Sequence, residues 1–297
     1  MSDLPAPPDG ARRIVYLGTP DLAVAPLRAL VAAGYDVPLV LSAPDVRRGR
    51  GGRTMPSPVK AAATDLGLAV TDRPADLLGA GADLGVVVAY GRLIKLDLLT
   101  ALPFVNLHFS LLPRWRGAAP VERAILAGDE RTGVCLMAVE ETLDTGGVYR
   151  RRSTDVDDKT LDDLRGELVD DGIDLLLEAL RDGFGPPEPQ TGEATYAAKV
   201  DPSERCLNFR QPAVAVARTV RIGGAWTTFR DTRLKVHAAV VVPAAAGSPG
   251  ELDGTVVACG DGHGLELVEV QPEGRGRMPA TAWRNGAQPG SGERLGE

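Results

Sequence analysis

Short apolar runs alternate with helix-period segments over roughly the first 180 residues of the chain, and this alternation predicts most of its elements. Residues 13–17 (RIVYL) form a compact apolar run that stops at Gly18-Thr19-Pro20, the pattern of a first strand. Residues 21–33 are rich in Ala and Leu and are closed by Gly34, as a helix with a glycine C-cap would be. Pro26 lies inside that segment and predicts a late start or a kink. Residues 36–41 (DVPLVL) read as a second strand. Ser57-Pro58 then opens a helix, with serine as N-cap and proline at the first position, running to about Gly67. Residues 82–89 (ADLGVVVA) are continuously apolar, as expected of a strand buried on both faces of a parallel sheet. A short helix over 93–99, a strand over 104–109 and a helix over 117–128 follow. Residues 132–139 and 148–153 read as a strand pair joined by 140–147. Residues 160–180 predict a long amphipathic helix, with Leu161, Leu164, Leu168, Ile173, Leu176, Leu177 and Leu180 near helical spacing. The fold class predicted is α/β, with a doubly wound sheet in the N-terminal domain.

The pattern changes at 183–190 (GFGPPEPQ), a Pro-rich, semi-rigid linker. Beyond it, 211–222 reads as one helix, and 226–229, 234–242, 255–258 and 265–270 as short strands between Gly-rich turns. That spacing fits a small C-terminal β barrel. Residues 286–297 look like a loose tail, and 1–10, Pro-rich and acidic, like a disordered leader. The expected organisation is a leader (1–10), an α/β domain (11–183), a linker (184–205) and a small β domain (206–297).

The strand over 104–109 carries the most informative polar pattern. Its pleat sends Val105, Leu107 and Phe109 to one face and Asn106, His108 and Ser110 to the other, before Pro113 ends the ladder. Open α/β sheets place chemistry at the carboxyl ends of their strands. Acyl transfer needs a donor for a developing oxyanion and a group that trades protons near neutral pH, and Asn and His supply both. His108 is one of three histidines, and a strand histidine taken alone is more often structural. Asp144, in Leu143-Asp144-Thr145-Gly146-Gly147, is either a turn residue or the carboxylate that pairs with His108. Arg47, Arg48, Arg50 and Arg53, set among Gly49, Gly51 and Gly52, form either a solvated loop or a grip on RNA phosphates.

Composition narrows the classes. The net charge of −7 disfavours a broadly basic nucleic-acid coat, without excluding a local basic patch. No apolar run is long enough for a transmembrane helix. Cys135, Cys206 and Cys259 are scattered, with no metal or disulfide spacing, which favours a cytoplasmic protein. A dinucleotide GxGxxG fingerprint does not follow the first strand, so a nicotinamide cofactor is not expected.

The stretch NLHFSLLPRWRGAAPVERAILAGDERTGVCLMAVEETLDTGGVY resembles the core of the methionyl-tRNA formyltransferase family. The likeness extends through YLGTPDLAVAPLRAL, PDVRRGRGGRTMPSPVKAAA and VVVAYGRLI, and through TYAAKVDPSE, GGAWTTFRDTRLKV and VEVQPEGRGRMPATAW, covering nearly all of the chain beyond the leader. Asn-x-His with SLLP and a later Asp-Thr-Gly marks the wider formyltetrahydrofolate-dependent superfamily, which includes the glycinamide ribonucleotide and amino-sugar enzymes. RWRGAAP and the GRG…MPSPVK loop lie closer to the tRNA branch. The resemblance implies a Rossmann-like catalytic domain, a C-terminal OB-like barrel, 10-formyltetrahydrofolate as formyl donor and initiator methionyl-tRNA as acceptor. It implies catalytic roles for Asn106, His108 and Asp144, a tetrahydrofolate-binding role for Ser110, Leu111, Leu112 and Pro113, and a tRNA role for Arg47, Arg48, Arg50 and Arg53. Neither a metal, a membrane nor an obligate protein partner is implied. Two departures stand out: Phe109 replaces the Gly common before the SLLP serine, and Arg221-Ile222-Gly223-Gly224 replaces an Asn-Pro-x-Pro-Gly-type segment. Amino-sugar transfer is the nearest rival, and a non-catalytic RNA- or folate-binding protein a more distant one.

Overall fold

A computed structural model of the chain describes residues 4–48 and 53–296, which divide into two compact units. The first unit runs as far as Val121 and takes in Arg131–Asp155 and Arg165–Ala198. Its strands are β1 (Ile14–Gly18), β2 (Val40–Leu41), β3 (Val46–Arg48), β4 (Arg53–Met55), β5 (Val70–Thr71), β6 (Leu84–Val88), β7 (Phe104–His108), β8 (Arg116–Gly117), β9 (Arg131–Ala138), β10 (Val148–Asp155) and β11 (Tyr196–Ala197). The main sheet has the order β10-β9-β7-β6-β1-β2-β5. Its five strands from β7 to β5 are parallel, and β9 pairs antiparallel with both β7 and β10. The chain leaves β1 toward β2 and later returns on the other side at β6, so the strand order reverses between β1 and β6. Doubly wound sheets open a crevice at such a reversal, outside the carboxyl ends of the strands.

Every residue of β1 and β6 is buried, which is why each reads as an unbroken apolar run. The helices are α1 (Val24–Ala32), α2 (Pro58–Asp65), α3 (Leu96–Ala101), α4 (Pro120–Ala127) and α5 (Leu161–Asp182). A 3₁₀ turn at Asp21–Ala23 precedes α1, so Pro26 falls in the first helical turn, where its missing N–H removes no ladder bond. Ser57 caps α2 as expected, accepting from the Lys60 N–H at 3.0 Å, with Pro58 at the first position. The long helix α5 covers the apolar face of β7 and β9: a Cβ on Gly172 would sit 3.3 Å from Leu107 and 3.4 Å from Val134. The opposite face of β7 is thereby left for Asn106 and His108.

The second unit takes in Glu122–Glu130, Val156–Leu164 and Lys199–Glu297. It holds α6 (Ala213–Arg221), β12 (Trp226–Phe229), β13 (Thr232–Val242), β14 (Leu252–Asp253), β15 (Val256–Ala258), β16 (Gly264–Pro272), β17 (Met278–Pro279) and α7 (Ala280–Ala287). The sheet is antiparallel, in the order β12-β13-β16-β15-β14, with β17 beside β16. Arg230 and Asp231 both take left-handed backbone (φ 49° and 60°), the requirement of a tight two-residue hairpin between β12 and β13. Register shifts around His237 bend the long strand β13. The core packs Phe209, Val216, Val220, Phe229, Leu265 and Trp283, with the Phe229 and Trp283 rings edge to face at 5.3 Å.

Strand pairing does not close this sheet into a ring among the described residues. The terminal segment, expected as a loose tail, lies between its two edges instead. Gly296 N donates to Thr228 O at 2.9 Å on β12, and Leu252 N on β14 donates to Glu293 O at 2.9 Å. Leu295 is buried in the core. The tail is bound through its main chain, one leucine and the Glu293–Arg230 ion pair, and a Gly/Pro-rich composition gives no sign of the first two. At the second departure from the family pattern, Arg221 binds the carbonyls of Lys159 and Asp157, and Arg205 binds those of Ile222 and Gly223. Burial pulls the Arg221 guanidinium below its usual range despite the acidic neighbours Asp157 and Asp158.

Candidate active site

Strand β7 ends at His108, and the polar row ends with it. Asn106 and His108 share a face, opposite Met137 and Cys135 of β9. The side-chain amide of Asn106 is half-buried and has no hydrogen-bond partner among the described residues, so its donors are open to a ligand. Ser110 does not extend the row. It lies past the strand, fully buried, and its hydroxyl donates to Arg114 O at 2.6 Å. The reason is local: the chain bends directly after His108, with Ser110 N reaching back to His108 O at 3.0 Å. Leu112 is buried against Cys135, Met137 and Val148, and Leu111 packs beside Gly133. These contacts put the Ser110–Pro113 stretch against the end of the sheet and leave no hydroxyl there as a nucleophile. Burial likewise pushes the Cys135 thiol up, which keeps it neutral beside His108.

His108 and Asp144 meet, in a different way from the simple pairing expected. His108 Nδ1 lies 3.6 Å from Asp144 Oδ2, within ion-pair range but longer than a hydrogen bond, with both side chains almost buried (6% and 10% exposed). The tautomer is fixed from the other side of the ring. His108 Nε2 lies 2.8 Å from the Trp115 carbonyl, which can only accept, so Nε2 carries the proton. In the neutral ring Nδ1 is therefore the basic nitrogen, and it faces the carboxylate. Protonation at Nδ1 creates an imidazolium directly against Asp144, which is the condition for a proton-holding pair.

The loop after β7 holds both members of this pair. Trp115, itself in left-handed backbone (φ 62°), presents its carbonyl to His108. Gly117 N donates to Asp144 Oδ2 at 2.8 Å. Gly117 sits at φ 119°, and a Cβ there would come 3.0 Å from Ala197 O, so this close approach requires glycine. Asp144 is also left-handed (φ 54°), in the turn that joins β9 to β10. The segment expected as a bare linker reaches this loop. Thr195 Oγ1 accepts from Trp115 N at 2.9 Å, Thr195 O accepts from Arg116 N at 2.8 Å, and β11 runs parallel to β8. Gln190 joins Arg116 to the Asp144 turn. Sequence reasoning passed over Trp115, Gly117, Gln190 and Thr195, since all four act through main-chain atoms or at a distance in sequence of more than forty residues.

The arginine-glycine segment is a hairpin at its base, with β3 and β4 antiparallel and Val46 opposite Met55. The backbones of Arg47, Arg48 and Arg53 belong to it, and Arg50 lies outside the described residues. No group of three or more His, Cys, Asp or Glu side chains suited to a metal ion occurs among the described residues, and no described helix is long and apolar enough to cross a membrane.

Comparison with known proteins covers nearly all of the chain. Residues 12–180 match the family model described as Formyl transferase, and residues 199–288 the one described as Formyl transferase, C-terminal domain. The methionyl-tRNA formyltransferase of Ruegeria pomeroyi is 41% identical over 95% of this chain and 100% of its own length. That of Symbiobacterium thermophilum is 43% identical over 92% of each. Among solved structures, HypX from Aquifex aeolicus in complex with tetrahydrofolic acid superimposes with TM-score 0.66 at 17% identity, over 96% of this chain and 49% of that longer one. The N-formyltransferase of Helicobacter canadensis, solved with folinic acid and dTDP-3-aminofucose, gives TM-score 0.68 at 15% identity over 86% and 98%. Those two likenesses establish the fold, whereas the first two relatives and the paired domain models establish kinship: the chain belongs to the methionyl-tRNA formyltransferase family.

Proposed function

We propose that Asn106, His108 and Asp144 form the centre at which this transferase moves a formyl group from 10-formyltetrahydrofolate to the α-amino group of initiator methionyl-tRNA. The observation that carries this reading is the unengaged Asn106 amide beside the His108–Asp144 pair at the carboxyl end of β7. As the α-amine adds to the formyl carbon, negative charge grows on the formyl oxygen and the Asn106 amide donates to it. His108 Nδ1 takes the proton that the attacking nitrogen must lose. Asp144, 3.6 Å away, stabilises the resulting imidazolium. The proton then passes to N10 of the folate as the bond from that nitrogen to the formyl carbon breaks, leaving tetrahydrofolate and formylmethionyl-tRNA. Ser110–Pro113 supplies one wall of the folate site through its main chain and the flank of Leu111, since its buried hydroxyl and Leu112 are already engaged.

Asp144→Asn tests the centre. It keeps the size of the side chain and an oxygen for the Gly117 N–H, and removes the charge that faces Nδ1. The expected result is a loss of about 10–100-fold in kcat for formylation of charged initiator tRNA, with KM little changed. An Asp144→Asn protein as fast as wild type would remove Asp144 from the reaction. Offering methionyl-tRNA and a dTDP-amino sugar side by side, with the same donor, separates this reading from amino-sugar transfer.

For the acceptor, Arg47, Arg48, Arg50 and Arg53 of the arginine-glycine segment grip phosphates near the reacting end of the tRNA, and the antiparallel C-terminal sheet serves as an OB-like surface for the rest. The tail at 293–296 completes that surface between β12 and β14. With an overall charge of −7, attraction for RNA has to be local. Replacing Arg47, Arg48 and Arg50 together with alanine should raise KM for methionyl-tRNA about tenfold at physiological salt and flatten its salt dependence. Turnover at saturating tRNA should stay near wild type, because these are ground-state contacts. Unchanged KM and salt slope would leave the hairpin without a role in RNA binding. Cytoplasmic work on translation initiation suits this chemistry and the scattered free cysteines.

A further inference from the structure

Gln190 carries a contact set that a linker residue does not need. Its amide nitrogen donates to Asp144 O at 2.9 Å and to Gly146 O at 2.8 Å, and its amide oxygen accepts from Arg116 Nε at 3.1 Å and from a terminal guanidinium nitrogen at 2.6 Å. The orientation of the amide is over-determined. Reversed, its oxygen would face two carbonyls and its NH₂ would face a guanidinium. No other side chain fits as well. Glu has no donors, Asn is one methylene too short, and Lys or Arg would meet the Arg116 charge.

These contacts fall on the parts that hold the proton-holding pair. Arg116 sits between Trp115, whose carbonyl fixes His108, and Gly117, whose N–H holds the Asp144 carboxylate. Gln190 ties that loop to the main chain of Asp144 itself. It therefore fixes one end of the Nδ1–Oδ2 separation relative to the other. The same strap continues at Thr195, which binds Trp115 N and Arg116 N. All of these residues belong to the first unit.

We infer that Gln190 is a positioning residue of the formyl-transfer reaction, acting by setting where the Asp144 carboxylate lies against His108. The inference rests on the assignment of Asp144 to the reaction, and the test is arranged to tell the two apart. Gln190→Leu removes both halves of the link. Gln190→Glu keeps the Arg116 contact, and with it the fold of the strap, but turns a carboxylate oxygen toward the Asp144 and Gly146 carbonyls in place of the two donors. Both variants should show kcat lowered about 10–100-fold with KM for methionyl-tRNA within about twofold of wild type, because Gln190 holds a group used in the transition state. A merely structural loss would instead appear as less folded enzyme with its remaining molecules turning over normally. In an Asp144→Asn background the Gln190→Leu change should cost less than about twofold further, since the group it positions is gone. Wild-type kcat in folded Gln190→Glu, or full additivity on top of a slow Asp144→Asn, overturns the role given to Gln190. An Asp144→Asn protein that is itself fast overturns the reading of the site, whatever Gln190 does.

Discussion

Asn106→Ala will lower kcat for formyl transfer about 10²–10³-fold while leaving the protein folded and its substrates bound. The magnitude is that of removing one pre-aimed donor from a developing oxyanion. The variant is a clean one because nothing in the protein depends on the amide. Asn106 is held in β7 by its backbone ladders to Val87 and Met137, and its side chain has no partner among the described residues. Truncation leaves no orphaned polar atom behind, and alanine forms strand no worse than asparagine. His108→Ala should cost a similar factor, with an added stability loss because the Trp115 carbonyl loses its donor. Single-turnover formylation of methionyl-tRNA under saturating folate, beside thermal melting, separates the two effects. Turnover within a few-fold of wild type in folded Asn106→Ala would dismiss the amide as the oxyanion donor, and the same result in His108→Ala would dismiss the imidazole.

The two variants also mark what could be read along the chain and what could not. Period-two alternation placed Asn106 and His108 on one face, since that inference needs only a strand and its pleat. The same rule carried one step too far placed Ser110 with them. The chain bends after His108, and the rule holds only while the ladder lasts. The buried strands β1 and β6 were legible because a parallel sheet covered on both faces demands continuous apolar residues. The short helix α7 was not: eight residues with Gly286 near the end give little periodic signal, and only Ala280 and Trp283 of it are buried. The pairing of His108 with Asp144 could be suspected from residue type, yet its geometry could not. The tautomer is set by a main-chain carbonyl at Trp115 and the carboxylate by a main-chain N–H at Gly117, and a sequence does not display main-chain atoms. Gln190 escaped for a related reason. Its partners lie 44, 46 and 74 residues away, and a Pro-rich neighbourhood reads as linker.

Gly146→Ala, a single methyl outside the reacting groups, should cost about as much activity as losing Asp144. Gly146 has no left-handed backbone to protect; its constraint is space. A Cβ there would stand 2.0 Å from Ala138 O and 2.8 Å from the Ala138 carbonyl carbon, both main-chain atoms of β9. Strand β9 cannot retreat, because β7 pairs with it on one side and β10 on the other. The turn must move instead, by an ångström or more to restore ordinary contact. That movement breaks the bond from Ala138 N to Gly147 O (2.8 Å) and the one from Gln190 to Gly146 O (2.8 Å), and carries Asp144 away from His108. A misplacement of ~1 Å costs about 10²-fold in rate. Overpacking of this kind also costs about 1–3 kcal/mol of stability. The rate loss should exceed what that destabilisation explains, since a fold weakened by so little stays almost fully populated at 25 °C. Measured together, kcat should fall about 100-fold and the melting temperature by only about 2–10 °C. Full kcat with an unchanged melting temperature would show that the turn absorbs the methyl, and that the Asp144 carboxylate does not depend on the close approach of Gly146 to β9.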